Sequence, residues 1–128
     1  MENYNVLKLA ELSNLPVFDF SLSVRLANNK KEIAEEILGL FMQEFPADLE
    51  AVKMARKKRE MDKLLRLVHK IHGALCYCGM PRLKNIAVRY ETLLKQELLD
   101  ETAFAQLGQL FEFEGDKILN DSELAELA

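Results

Sequence analysis

Residues 64–79 read Leu64-Leu65-Arg66-Leu67-Val68-His69-Lys70-Ile71-His72-Gly73-Ala74-Leu75-Cys76-Tyr77-Cys78-Gly79, and they hold both histidines, both cysteines and two of the five glycines of the chain. At roughly 100° per residue, with Ile71 set at the centre of one face, Leu64, Leu67, Val68, Leu75 and Cys78 all fall within about 60° of it. Such a stripe has to face a core. His69 falls roughly 160° away, in the middle of the opposite, wet face. A core-facing helix with an imidazole at its most exposed azimuth, one turn before a glycine, asks for a reason.

The stretches on either side repeat the helical pattern. The opening stretch is expected to be a helix over about 60–78, with Gly79 ending it in a left-handed conformation and Pro81 starting the next. So short a turn makes the two helices antiparallel neighbours. Downstream, Leu83, Ile86, Ala87, Tyr90, Leu93 and Leu94 mark a fourth helix, and Phe104, Leu107, Phe111 and Ile118 a fifth that starts after Asp100. Asn120-Asp121-Ser122 breaks it, leaving a short helical tail. Upstream, Asp19 caps a short helix over about 20–27, which Asn28-Asn29 ends. Asn29, with Glu32 three positions on, has the spacing to start the next helix. That helix carries Ile33, Ile37, Leu40, Phe41, Leu49 and Val52 at helical spacing, and Pro46 inside it should kink it. It closes on Lys53, Arg56, Lys57, Lys58 and Arg59, read as cations at the negative end of a helix dipole. Residues 1–16 read as a loosely attached leader or linker, with the domain over 17–128.

No alternation of period two is long enough for a strand, and nothing repeats. The expected fold is therefore all-α: an antiparallel four-helix bundle with an additional short N-terminal helix.

At 128 residues, one domain is expected, large enough to fold without staples. Apolar content of 49% against 30% charged describes a globular chain rather than a disordered one. A net charge of −4 argues against nucleic acid, whose phosphates demand clustered positive charge. No apolar run approaches the length of a membrane span, and no basic-then-apolar signal peptide opens the chain. Cys76 and Cys78 point to nearly opposite sides of a helix and cannot pair, and free thiols suit the cytoplasm.

Chemistry is then sought on the wet face. Glycine-rich phosphate loops, Gly-x-Ser-x-Gly and His-Glu-x-x-His are all missing, which argues against an ATP-using enzyme. A neutral imidazole is a competent nucleophile near neutral pH. Arg66 and His72, one turn to either side of His69, can offer positive charge or hydrogen bonds to an anion held there. Gly73 removes a side chain where another molecule's backbone could approach, at a cost of roughly 1 kcal/mol of helix stability. Leu65 and Cys76 put apolar surface beside the imidazole, as a docking patch would. Three bland or rival readings stand against this one. His69 could be an idle surface histidine on a helical adaptor, and His72 a boundary residue bonded to a neighbouring helix. His69, His72 and Cys76 could hold zinc, but seven residues span about 10 Å of helix axis, too far for one ion to be shared, so no metal is expected.

The run His69-Lys70-Ile71-His72-Gly73-Ala74, with Gly79-Met80 and then Leu83, resembles the motif of the histidine-containing phosphotransfer (HPt) domain. The longer string from Leu67 to Asn85 is similar to the HPt domain that ends BarA-type tripartite hybrid sensor kinases, and weaker similarity extends from about Val17 through the fifth helix. The resemblance implies a phosphocarrier without an ATP site of its own. His69 would accept a phosphoryl group from a receiver-domain aspartate and pass it to a response-regulator receiver. His72 and Arg66 would stabilise the phosphate, and Leu65, Lys70, Gly73 and Cys76 would meet the receiver. It implies no bound cofactor, magnesium on the partner receiver, and no contact of this domain with nucleic acid or membrane. A monomer is expected, in the cytoplasm or at the cytoplasmic end of a membrane-bound kinase. The family's usual lysine three residues after the histidine is His72 here, which BarA-type domains share.

Overall fold

The computed structural model describes residues 11–127. Six helices lie wholly within that range: α1 (Phe20–Leu26), α2 (Lys31–Lys58), α3 (Met61–Leu75), α4 (Pro81–Leu94), α5 (Glu101–Leu119) and α6 (Ser122–Leu127). Among the described residues there is no strand. Each of α2 to α5 packs on its neighbour in sequence, and α5 closes the ring against α2. This is the antiparallel four-helix bundle expected from the pattern, with α1 and α6 laid on α2. Among the described residues, no helix is long and apolar enough to cross a membrane.

The core is the sum of the helical stripes. Leu38, Phe45, Leu49 and Val52 of α2 meet Leu64, Val68, Ile71 and Leu75 of α3, all buried, and Ile86, Tyr90, Leu93, Leu107 and Phe111 complete the interior. Asp19 caps α1 by accepting from Leu22 N at 3.2 Å, and Asp100 caps α5 by accepting from Ala103 N at 3.1 Å. α2 runs through Pro46 as one helix, with the proline on the exposed side.

Several local expectations are corrected. α3 stops at Leu75 rather than Cys78, and no glycine among the described residues has positive φ. Gly79 is needed for a different reason. Its N–H donates to Ser23 Oγ at 2.9 Å, its carbonyl accepts from Asp19 N at 2.7 Å, and an added Cβ would lie 2.1 Å from Asp19 O. The turn between α3 and α4 is thus clamped by the start of α1. Asn29 does not cap α2. Asn28 and Asn29 are both left-handed and their N–H groups close α1 onto Arg25 O and Val24 O, so α2 begins at Lys31 with no side-chain cap.

The basic run at the end of α2 does more than answer a dipole. Lys53 pairs with Asp116 at 3.0 Å, Arg56 with Glu112 at 2.5 and 3.0 Å, and Arg59 with Glu101 at 2.9 Å. These pairs lace α2 to α5, and Gly108 leaves the room that the Arg56 stem occupies. The stretch before α1 is also attached where it is described. Leu12 is 4% exposed in the core, and Arg82 of α4 donates to Leu15 O and Ser13 O. The remainder of the expected leader, residues 1–10, lies outside the described range.

Candidate functional site

α3 is anchored by four fully packed side chains on one side, and that anchoring fixes what the other side presents. His69 stands out with its side chain 71% exposed. His72, one turn on, is 26% exposed and turns toward α4. Gly73, the next residue along the helix, is exposed, and a Cβ placed there would meet nothing within 4 Å. No packing constraint therefore explains the glycine. Its bare surface supports the access argument.

The seam between α3 and α4 holds a residue that the sequence reading did not single out. Glu91 reaches from α4 with its side chain only 9% exposed. Its Oε1 is 2.5 Å from His69 Nδ1 and its Oε2 3.4 Å from His72 Nδ1. Lys95, one helical turn later, stands 3.8 Å from Oε2. Burial pushes the Glu91 carboxyl up, but the hydrogen bonds from His69 and His72, with the charge of Lys95, outweigh it and hold the group below its ordinary 4.5. An ionised carboxylate can only accept, so the ring nitrogens that face it carry the hydrogens. In neutral His69 that leaves the lone pair on Nε2, on the far side of the ring from Glu91. Chemically, such an arrangement can serve as a nucleophile whose tautomer is set by a buried orienting group.

The other expected residues divide between two flanks. Leu65 and Cys76 are half-buried on the side of the helix that His72 occupies, and Arg66 is exposed one turn before His69. Lys70 lies on the α2 flank, where Asp48 at 3.2 Å and Glu44 at 3.8 Å hold its ammonium. Beside it the α2–α3 surface opens into an apolar groove of about 500 Å³, with Ile37, Leu40, Phe41, Ala74 and Tyr77 among its walls. Leu40 and Tyr77 are 59% and 61% exposed on its rim. Among the described residues no group of three or more His, Cys, Asp or Glu side chains could hold a metal ion, and Cys76 does not join the two histidines. Cys78 is buried, donates to Ala74 O at 3.4 Å, and has its thiol pushed up to about 12 by burial and by Cys76 beside it.

Glu91 was within reach of the sequence. His69 lies eleven residues before Met80 and Glu91 eleven after it, so an antiparallel pair turning at Gly79-Met80 brings them level. What the sequence lacked was the rotation of α4 that aims the carboxylate into the seam.

Comparison with known proteins bears on the family and the fold. The Hpt domain family model matches residues 36–125. A sensor histidine kinase GacS of Pseudomonas protegens is 43% identical over 96 residues, covering 75% of this chain and 10% of the relative. The signal transduction histidine-protein kinase BarA of Escherichia coli K12 is 28% identical over 94 residues, covering 73% of this chain and 10% of the relative. The chain thus spans about a tenth of the length of these curated relatives. Among solved structures, the HPT domain of a sensor hybrid histidine kinase from Shewanella superposes with a TM-score of 0.80 at 24% identity, covering 89% of this chain and 95% of that one.

Proposed function

This chain belongs to the Hpt domain family, and from that premise we propose that it carries phosphoryl groups between receiver domains on His69. The observation that carries the reading is the pairing of an exposed His69 with a buried, ionised Glu91 at its Nδ1. The lone pair of Nε2 attacks the phosphorus of an aspartyl phosphate on a docked receiver. The N–P bond forms, the P–O bond breaks, and the receiver's carboxylate leaves as an anion. The ring gains positive charge as this happens, and the Nδ1–H bonded to Glu91 stays in place to share it, so no proton has to reach bulk water. The return step runs backwards: an acceptor's carboxylate attacks phosphorus and imidazole leaves.

The receiver brings the magnesium and most of the charge stabilisation, because Glu91 is engaged by the two histidines, Asp48 and Glu44 by Lys70, and among the described residues no group of three or more His, Cys, Asp or Glu side chains could hold a metal ion. Arg66 supplies a further cation one turn from the phosphoryl group. Gly73 lets the receiver close in. Leu65 and Cys76 give apolar contact on one flank, and the groove beside Lys70, with Leu40 and Tyr77 on its rim, extends it on the other. Lys70 contributes its position on that rim, its charge being shared with Asp48 and Glu44. The reading puts the domain in the cytoplasm, as a monomer that serves a donor receiver and a response-regulator receiver in turn.

The test is incubation with a receiver domain radiolabelled on its aspartyl phosphate. Wild type is expected to acquire an acid-labile, base-stable label, and His69→Gln none, with helical circular dichroism unchanged. Label retained by His69→Gln sinks the assignment. No label on wild type would leave a helical adaptor as the better description.

A further inference from the structure

The two histidines of α3 share one carboxylate, one imidazole on each oxygen. Resting on the reading of His69 as acceptor, we propose that His72 is a positioning residue: it acts through Glu91, whose Oε2 it holds, and not through contact with the phosphoryl group.

His72 presents Nδ1 to Glu91, and a carboxylate oxygen accepts only, so the hydrogen of neutral His72 sits on Nδ1 and is already committed. The remaining nitrogen, Nε2, then has a lone pair and nothing to donate to a phosphoryl oxygen. Neutral His72 in this orientation cannot replace an ammonium beside the phosphate.

The needs of Glu91 supply the second argument. Its working contact is Oε1 with His69 Nδ1, and a glutamate carboxylate turns easily about its last torsion. Among the described residues, the hydrogen bonds of this carboxylate go to the two imidazoles alone, with the Lys95 ammonium 3.8 Å from Oε2. His72 is half-buried in the seam while Lys95 lies on the exposed surface. Of the two groups at Oε2, the imidazole is therefore the less mobile, and it stops the carboxylate turning. Removing it frees Glu91 to rotate toward Lys95 and water, and His69 loses the acceptor that sets its tautomer.

A double-mutant cycle on receiver-to-His69 transfer separates this role from direct contact. His72→Ala is expected to slow loading by about tenfold, in the range of coupling within one hydrogen-bond network. In a Glu91→Gln background the same change should add little. His72→Asn, whose amide N–H can reach where Nδ1 stood, should restore most of the rate, and His72→Gln should restore less. The ring-nitrogen NMR signals of unphosphorylated His69 give a readout that simple stability does not move. Wild type should show hydrogen on Nδ1, and His72→Ala a shift of hydrogen toward Nε2. Additive rate losses, rescue by Gln rather than Asn, or an unchanged His69 tautomer in His72→Ala would each overturn the inference while leaving His69 as acceptor. Absence of label on the wild-type protein would overturn both.

Discussion

Glu91 on α4 and His69 on α3 meet at 2.5 Å, a buried carboxylate against an imidazole that is otherwise in water. The contact ties the reactive group to the fold's own acid titration. Glu91 titrates lower in the folded chain than its ordinary 4.5, because the bonds from His69 and His72 outweigh its burial. The stability it contributes is then complete above that ordinary value and is lost as pH falls through the depressed folded value. Glu91→Gln removes the titrating group. As pH falls through and below 4.5, wild type should lose more stability than Glu91→Gln in parallel denaturant melts. Superimposable pH profiles would show that the carboxylate is not held by the histidines. At neutral pH the same substitution should slow phosphoryl uptake on the order of ten- to a hundredfold, by analogy with the loss when a carboxylate that orients a metal-ligating histidine is removed.

Gly73 should separate stability from function. Nothing lies within 4 Å of its would-be Cβ, so Gly73→Ala should stabilise the protein by about 0.5–1 kcal/mol through helix propensity alone. Gly73→Leu should also melt no lower than wild type, yet transfer poorly because the receiver cannot close. Thermal melts and labelling rates on the same samples check this. A Leu variant that transfers at the wild-type rate would refute the access argument.

The two cysteines should react at very different rates. Cys78 is buried with its thiol pushed up to about 12, whereas Cys76 is half-buried beside the histidines. Maleimide on the native protein should give a single adduct, on Cys76, with Cys78 labelled only after denaturation. Mass spectrometry of the digested adduct decides it, and equal labelling of both would contradict the packing.

Gly79→Ala should be costly for a reason unrelated to φ. The new methyl would collide with the backbone carbonyl of Asp19 at 2.1 Å and push α1 off the α3–α4 turn. A loss of about 1–3 kcal/mol is expected, as for overpacking of a tight site. Gly108→Ala, by contrast, meets a side-chain atom, Arg56 Cδ at 2.4 Å, which can shift at the expense of the Arg56–Glu112 pair where a backbone carbonyl cannot. The expected order of melting temperatures is wild type, then Gly108→Ala, then Gly79→Ala. The reverse order would refute the α1 clamp.

Most of the fold was legible because helical periodicity records burial directly. Leu64, Leu67, Val68, Ile71, Leu75 and Cys78 fell on one stripe; Leu67 is half-buried at its edge and the other five are buried. Asp19 and Asp100 sit where their side chains cap helices. What stayed hidden depends on contacts between elements. Gly79 looked like a helix stop because sequence shows a glycine's freedom but not a neighbour's carbonyl. The basic run at 53–59 looked like a dipole effect because Asp116, Glu112 and Glu101 are its partners only once α5 lies alongside α2. At the site, His69 could be found on one helix by azimuth alone. Glu91 required a second helix and its rotation, which no single stripe encodes.

The exposure of His69 has a consequence for traffic. If His69 carries the phosphoryl group as proposed, one imidazole on one open face can be approached by only one receiver at a time, so donor and acceptor take turns rather than form a ternary assembly. An excess of the unphosphorylated acceptor would then occupy the face unproductively and delay loading from the donor. Flux through such a carrier would peak at an intermediate acceptor concentration, with the relative abundance of the two receivers setting how fast a signal passes.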